Sequence, residues 1–170
     1  MLSASVILIG MPGCGKSTVG KMLAKRLRVD FCDTDDLIVG KTGEPLQDTL
    51  DKYGRDGFLE IERQVLTELD ISTPRVISTG GSVVLHKDVM ERLKENCTIV
   101  FLDADLPLIR KRLWNLDSRG IVFSDTKDGL LEVYKEREPL YYRYADIRIH
   151  IKHKRVNDMI AEITQKIGCE

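Results

Sequence analysis

Short β-branched runs alternate along this chain with longer stretches whose apolar residues recur at helical spacing. Val6–Ile9, Arg75–Ser78, Thr98–Leu102 and Asp146–Ile151 each read as a strand, and Val29–Asp33 reads as a weaker fifth. Between them Leu23 and Leu27 share one helix face. Phe58, Ile61, Val65 and Leu69 share a second, and Val156, Met159, Ile163 and Ile167 form a third near the end of the chain. Strands that alternate with helices predict an α/β fold around a parallel sheet covered on both faces, because each parallel crossover needs about a dozen residues or more. Sheets of this kind bind ligands at the carboxyl ends of their strands. The residues immediately after each strand are therefore the ones to read for chemistry.

Composition narrows the class without changing that picture. The chain has 170 residues, with 26 Lys and Arg against 27 Asp and Glu, a formal net charge of −1 and 42% hydrophobic residues. Mixed charges of this balance argue against a general polyanion binder, and no nucleic-acid partner is expected. The longest apolar runs fall far short of the ~18–20 residues that cross a bilayer, so no membrane span is predicted. The first ten residues lack the basic segment of a secretion signal, so a cytoplasmic protein is expected. Cys14, Cys32, Cys97 and Cys169 show neither Cys-x-x-Cys spacing nor disulfide density and read as reduced thiols. There is no internal repeat or linker, so a single domain spanning 1–170 is expected.

The strongest chemical signal follows the first strand at once: Gly10-Met-Pro-Gly13-Cys14-Gly15-Lys16-Ser17, a complete G-x-x-x-x-G-K-S, with Thr18 opening a helix behind it. Glycines let consecutive backbone N–H groups wrap a phosphate at the positive end of a helix. Lys16 would neutralise the β- and γ-phosphates of a nucleotide, and the Ser17 hydroxyl would ligate Mg²⁺. No guanine-reading Asn-Lys-x-Asp is present, since none of Asn96, Asn115 and Asn157 precedes a lysine. This turns the reading away from GTPase switches. Cys14 reads as a small filler of the loop.

At the expected end of the second strand stand Asp33-Thr34-Asp35-Asp36. Residues two apart in an extended segment point to the same side, so Asp33 and Asp35 could face one pocket, one holding Mg²⁺ and the other receiving a substrate hydroxyl. Capping a helix start is the plainer role for an aspartate there. Asp103, after the hydrophobic Ile99–Leu102, competes for the metal role, with capping of a helix near Pro107 as its alternative. His86, His150 and His153 have no metal-ligand spacing, and Trp114, Tyr141, Tyr142 and Tyr144 read as packing residues.

Taken together, Gly10–Ser17, Asp33-Thr-Asp35, Gly80-Gly81 after the third strand, Arg119 in a mid-chain loop and Glu136-Arg137-Glu138-Pro139-Leu140-Tyr141 resemble the shikimate kinase family in order and spacing. The resemblance implies a three-layer P-loop kinase fold of the nucleoside-monophosphate-kinase type. It would have a five-stranded parallel sheet, a substrate-binding helical segment at 34–62 and a lid at 114–125. It also implies transfer of the γ-phosphoryl of ATP to the 3-hydroxyl of shikimate, in aromatic amino-acid biosynthesis, by a monomer. By position Gly10, Gly13, Cys14, Gly15, Lys16, Ser17, Thr18 and Arg112 would bind ATP, with Arg112 against the adenine. Ser17 and Asp33 would hold Mg²⁺. Asp35 would meet the substrate hydroxyls, Gly80 and Gly81 would offer it backbone N–H groups, and Arg137 would pair with its carboxylate. Lys16, Asp35 and Arg119 would be the catalytic set, with Arg119 closing over the transferring phosphate. Pro139 would mark a helix stop.

The chain departs from the family pattern twice. The family has Gly-Glu-x-x-Phe-Arg-x-x-Glu in its substrate segment, and here Leu59 stands in the place of that arginine. Ser82 replaces the third glycine of a Gly-Gly-Gly. Arg55, one helical turn before Leu59, could supply the missing charge. Alternatively the acceptor is a different small hydroxylated metabolite, or the chain is a catalytically weak ATP-binding regulator.

Overall fold

A computed structural model of the protein describes residues 2–113 and 129–169. Five strands, β1 (Val6–Ile9), β2 (Phe31–Asp33), β3 (Val76–Ser78), β4 (Thr98–Asp103) and β5 (Ile147–His150), form one sheet in the order β2-β3-β1-β4-β5 with every pairing parallel. The described helices are α1 (Lys16–Leu27), α2 (Thr34–Thr42), α3 (Leu46–Thr67), α4 (Lys87–Asn96), α5 (Leu106–Leu113), α6 (Gly129–Tyr144) and α7 (Val156–Lys166), with a short 3₁₀ turn at Val83–Leu85. All four side chains of β1 are fully buried although alternate ones point to opposite faces, which requires a helical layer on each side. α1 packs on β2, β3 and α7, and α4 and α6 pack on β4. The expected three-layer α/β architecture and its five parallel strands are what the chain forms. Among the described residues no helix is long and apolar enough to cross a membrane.

Three sequence expectations shift in detail. Val29 and Asp30 fall outside β2, because α1 ends on Arg28 at φ 57° and the Val29 N–H closes back onto the Ala24 carbonyl. Leu69 lies beyond α3 yet is buried in the core. The helix that contains Pro139 does not stop there, since α6 continues to Tyr144. A mid-helix proline costs about 3 kcal/mol. Val133, Arg137, Tyr141 and Tyr144 nevertheless form one buried face across it, and Tyr141 stacks on Phe101 at 5.1 Å while its hydroxyl donates to the Gly81 carbonyl at 2.6 Å. Tertiary packing on both sides of the proline outweighs the local preference.

The strand order brings β1 between β3 and β4, so the chain leaves β1 at the point where the sheet's connections reverse direction. That is where a doubly covered parallel sheet opens a crevice at its carboxyl edge. Because β1 is buried on both faces, Ile7→Ala should destabilise the protein by about 2–5 kcal/mol, whereas Met22→Ala on the exposed side of α1 should cost less than about 1 kcal/mol. Urea unfolding of the two variants measures the difference, and equal losses would contradict the position of the core.

Candidate active site

The loop from Gly10 to Gly15 joins β1 to α1 through three glycines at positive φ: Gly10 at 146°, Gly13 at 78° and Gly15 at 99°. At Gly10 a side chain is excluded twice over, since a Cβ would lie 2.7 Å from the Leu102 carbonyl oxygen. Gly15 caps α1 without a side-chain bond, and the first turn of α1 carries no acidic residue. The helix therefore starts with a positive end that no carboxylate of its own first turn neutralises. Lys16 is buried, and its Nζ donates to the Gly10 and Met11 carbonyls at 2.8 and 3.0 Å, which holds its charge over the loop. Cys14 is buried with its Sγ 3.7 Å from Lys16 Nζ. From α5 the Arg112 guanidinium reaches back to donate to the Gly13 and Cys14 carbonyls at 3.2 and 3.0 Å.

Asp33 and Asp35 come together by a different geometry from the one expected. Only Asp33 is extended, and α2 already begins at Thr34. Asp33 caps that helix, its Oδ1 accepting from the Asp35 N–H at 3.1 Å, while its Oδ2 accepts from the Ser17 hydroxyl at 2.6 Å. The capping role and the link to the phosphate loop are thus both true of one carboxylate. Asp35 turns into the cavity. Burial first, then the neighbouring Asp33 charge, push its carboxyl from 3.8 up to about 6, with Lys16 opposing and Glu62 and Asp36 adding.

One cavity of about 500 Å³ runs from the loop to α6. Its walls include Lys16, Asp35, Glu62, Gly80, Arg112 and Arg137, contributed by the first turns of α1 and α2, by α3, by the turn after β3, and by α5 and α6. Gly80 does not offer a free N–H as expected, because that group donates to the Thr34 hydroxyl at 3.2 Å. Its contribution is the absence of a side chain: a Cβ there would sit 2.7 Å from Glu62 Oε1 and 3.3 Å from Asp35 Oδ1. At Gly81 a Cβ would crowd Pro12 at 2.7 Å and Arg137 Nη1 at 3.2 Å. Arg137 is 1% exposed, and its Nε and Nη2 have no hydrogen-bond partner among the described residues.

Other expected residues lie elsewhere. Asp103 neither faces the cavity nor caps a helix. The register of β4 on β5 sets it beside His150, and Arg148 and His150 hold it at 2.6 and 3.1 Å, while Asp105 caps α5 instead. Arg55 does not line the cavity, because Gly54 breaks the helix at φ 67° and Arg55 pairs with Glu136 at 3.0 Å on the surface. Leu59 is half-buried and lies outside the cavity wall, which α3 forms with Phe58 and Glu62. Arg119 and the expected lid at 114–125 lie outside the described residues. His86 caps α4, as a helix-start residue should, but it is also buried against Glu62. Glu62 itself was not singled out in the sequence. Two signals were available: Glu62 stands at the final glutamate of the Gly-Glu-x-x-Phe-Arg-x-x-Glu pattern, and it is an acidic residue one turn after Phe58 on an otherwise apolar helix face.

The shikimate kinase family model matches residues 12–168. Shikimate kinase of Sulfurihydrogenibium sp. (strain YO3AOP1) is 34% identical over 163 residues, covering 96% of this chain and 97% of that protein. Shikimate kinase of Paracidovorax citrulli is 37% identical over 144 residues, 83% of this chain and 79% of its own length. Among solved structures, shikimate kinase from Acinetobacter baumannii in complex with shikimate superposes with a TM-score of 0.87 at 30% identity, covering 96% of this chain and 92% of that one.

The raised Asp35 carboxyl has a cost that stability measurements can read. Its pKa is higher folded than unfolded, so the native state binds that proton more tightly and stability falls as pH rises from about 4 through about 6. Asp35→Asn should therefore stabilise the protein at pH 8 by on the order of 2–3 kcal/mol and give no gain near pH 3.5. Chemical denaturation at the two pH values checks this, and a gain independent of pH would refute the burial of an ionised Asp35 as the source of the cost.

Proposed function

This chain belongs to the shikimate kinase family, and on that premise we infer that it transfers the γ-phosphoryl group of ATP to the 3-hydroxyl of shikimate. The observation that carries the acceptor assignment is Arg137. A guanidinium 1% exposed with two unpartnered nitrogens is costly unless an anion completes it, and it lines the same cavity as the phosphate loop and Asp35. A hydroxylated acid satisfies both ends of that cavity, its carboxylate on Arg137 and a hydroxyl at Asp35. Leu59, the residue that raised other acceptors, is not among the residues that line the cavity, whereas Arg137 is, and this favours shikimate over a different metabolite or an inactive regulator.

Phosphoryl transfer needs positioning and charge neutralisation more than covalent chemistry. In our reading the loop N–H groups and the start of α1 hold the phosphates, and Lys16 moves from the Gly10 and Met11 carbonyls onto the β- and γ-oxygens. Arg112, Leu113, Val156 and Met159 line the part of the cavity that would take the adenine. Asp35, with its carboxyl near 6, is ionised at neutral pH yet basic enough to take the proton of the attacking hydroxyl. Arg119 would add positive charge at the transferring group. Ser17 and Asp33 suit Mg²⁺, since both offer hard oxygen atoms already 2.6 Å apart. Among the described residues no cluster of three or more metal-binding side chains competes with them. When bound there, Mg²⁺ would offset the negative charge of the phosphates. The same reading takes residues 1–170 as one kinase domain, with 34–62 as its substrate segment, working as a cytoplasmic monomer without a nucleic-acid partner.

A coupled assay of ADP release with shikimate as acceptor tests the reading directly, and no shikimate-dependent turnover by the wild-type protein would overturn it. Within that assay Arg137→Ala should raise KM for shikimate about 10–100-fold while leaving KM for ATP nearly unchanged. Asp33→Asn should lower activity in a way that raised Mg²⁺ partly restores, and Asp35→Asn should lose activity that Mg²⁺ does not restore. Identical Mg²⁺ responses would reject the division between the two aspartates.

A further inference from the structure

A buried cation and a buried carboxylate line one cavity, and they are not paired with each other. Glu62 is 1% exposed and Arg137 is 1% exposed. They flank adjacent glycines: a Cβ at Gly80 would meet Glu62 Oε1 at 2.7 Å, and a Cβ at Gly81 would meet Arg137 Nη1 at 3.2 Å. Opposite charges lining one cavity attract, so a Glu62 carboxylate free to turn would be drawn toward the guanidinium. Two hydrogen bonds hold it elsewhere. The Ser82 hydroxyl donates to Oε1 at 2.8 Å, and His86 Nε2–H donates to Oε2 at 2.8 Å. Both donors are buried and both come from the segment between β3 and α4, so both oxygens of the carboxylate are engaged by that segment and not by Arg137.

The surroundings of Glu62 are also where this chain departs from the pattern it resembles. Ser82, one of the two donors, replaces a glycine. Leu59 lies three residues before Glu62 on the same helix face, the spacing at which a cation would pair with it, and leucine offers none.

We propose that His86 and Ser82 are positioning residues for the acceptor: by occupying both oxygens of Glu62 they keep that carboxylate off Arg137 and leave the guanidinium free for the carboxylate of the substrate. The inference rests on the reading that the acceptor is an acid such as shikimate. It makes Glu62 a latent internal competitor of the substrate, restrained by Ser82, which lines the cavity, and by His86, which lies behind it.

The test is a rescue. His86→Ala should raise both KM and the calorimetric Kd for shikimate about 10-fold or more, with KM for ATP unchanged. His86→Gln, which keeps a donor, should stay close to wild type. Adding Glu62→Gln to His86→Ala removes the competing charge and should bring shikimate affinity back to within about threefold of the Glu62→Gln single variant. A purely structural role for His86 predicts the opposite, that the second substitution leaves the loss in place or deepens it. Should His86→Ala fail to fold, Ser82→Ala removes a single hydroxyl and carries the same pair of measurements with a smaller rise, about 3–10-fold. Unchanged shikimate affinity in the alanine variant, or no recovery with Glu62→Gln, overturns the proposal. Wild type that neither binds nor phosphorylates shikimate overturns the acceptor assignment instead, so the two failures are distinct.

Discussion

Five strands that all point the same way impose the constraint on which this molecule depends. Parallel pairing sends β1, β2, β3, β4 and β5 toward one edge of the sheet, so the turns that follow them must share the space above it. Gly10–Gly15, Asp33–Asp35 and Thr79–Ser82 are brought together for that reason alone, although long stretches of chain lie between them. The fully buried β1 makes the arrangement stiff at its centre. The Gly10–Gly15 loop therefore starts from a strand whose four side chains are all fully buried.

Charge in the cavity is arranged by giving each group one job and a partner that does not compete with it. Lys16 is parked on carbonyl oxygens, and Asp33 is held by Ser17 and by the helix it caps. Asp35 carries the cost of burial and of its neighbour's charge, which raises its carboxyl to about 6. Arg137 carries the opposite cost, a guanidinium lacking partners for two of its nitrogens among the described residues. Stability given up at Asp35 and Arg137 corresponds to groups that a bound hydroxylated acid would satisfy, the trade expected where function and folding draw on the same atoms.

Leu59 shows how a departure from a family pattern is absorbed. Read as a string, the substitution removes a guanidinium and puts the acceptor in question. In space, Leu59 is outside the cavity wall, Arg55 is engaged with Glu136 at the surface, and the buried Glu62 that an arginine at 59 could pair with has its two oxygens on Ser82 and His86. In this chain the buried carboxylate of Glu62 is satisfied by Ser82 and His86, with no cation at position 59.

The sequence by itself determined the α/β class, the five strands, the phosphate loop and the acidic turn after β2, because each is set by a local signal: period, glycine at positive φ, a cap, or a lysine beside a helix start. It also placed Arg137 through its surrounding motif. Only the tertiary structure decided that Asp103 belongs to Arg148 and His150, that α6 runs through Pro139, that Gly80 spends its N–H on Thr34, and that Glu62 meets Ser82 and His86. Those outcomes depend on groups 20 to 47 positions apart competing for the same polar atoms, or on a buried face outweighing a proline. A pattern along the chain records what each residue prefers, and burial decides which preference is met, because an unpaired polar group away from water costs more than most local propensities contribute.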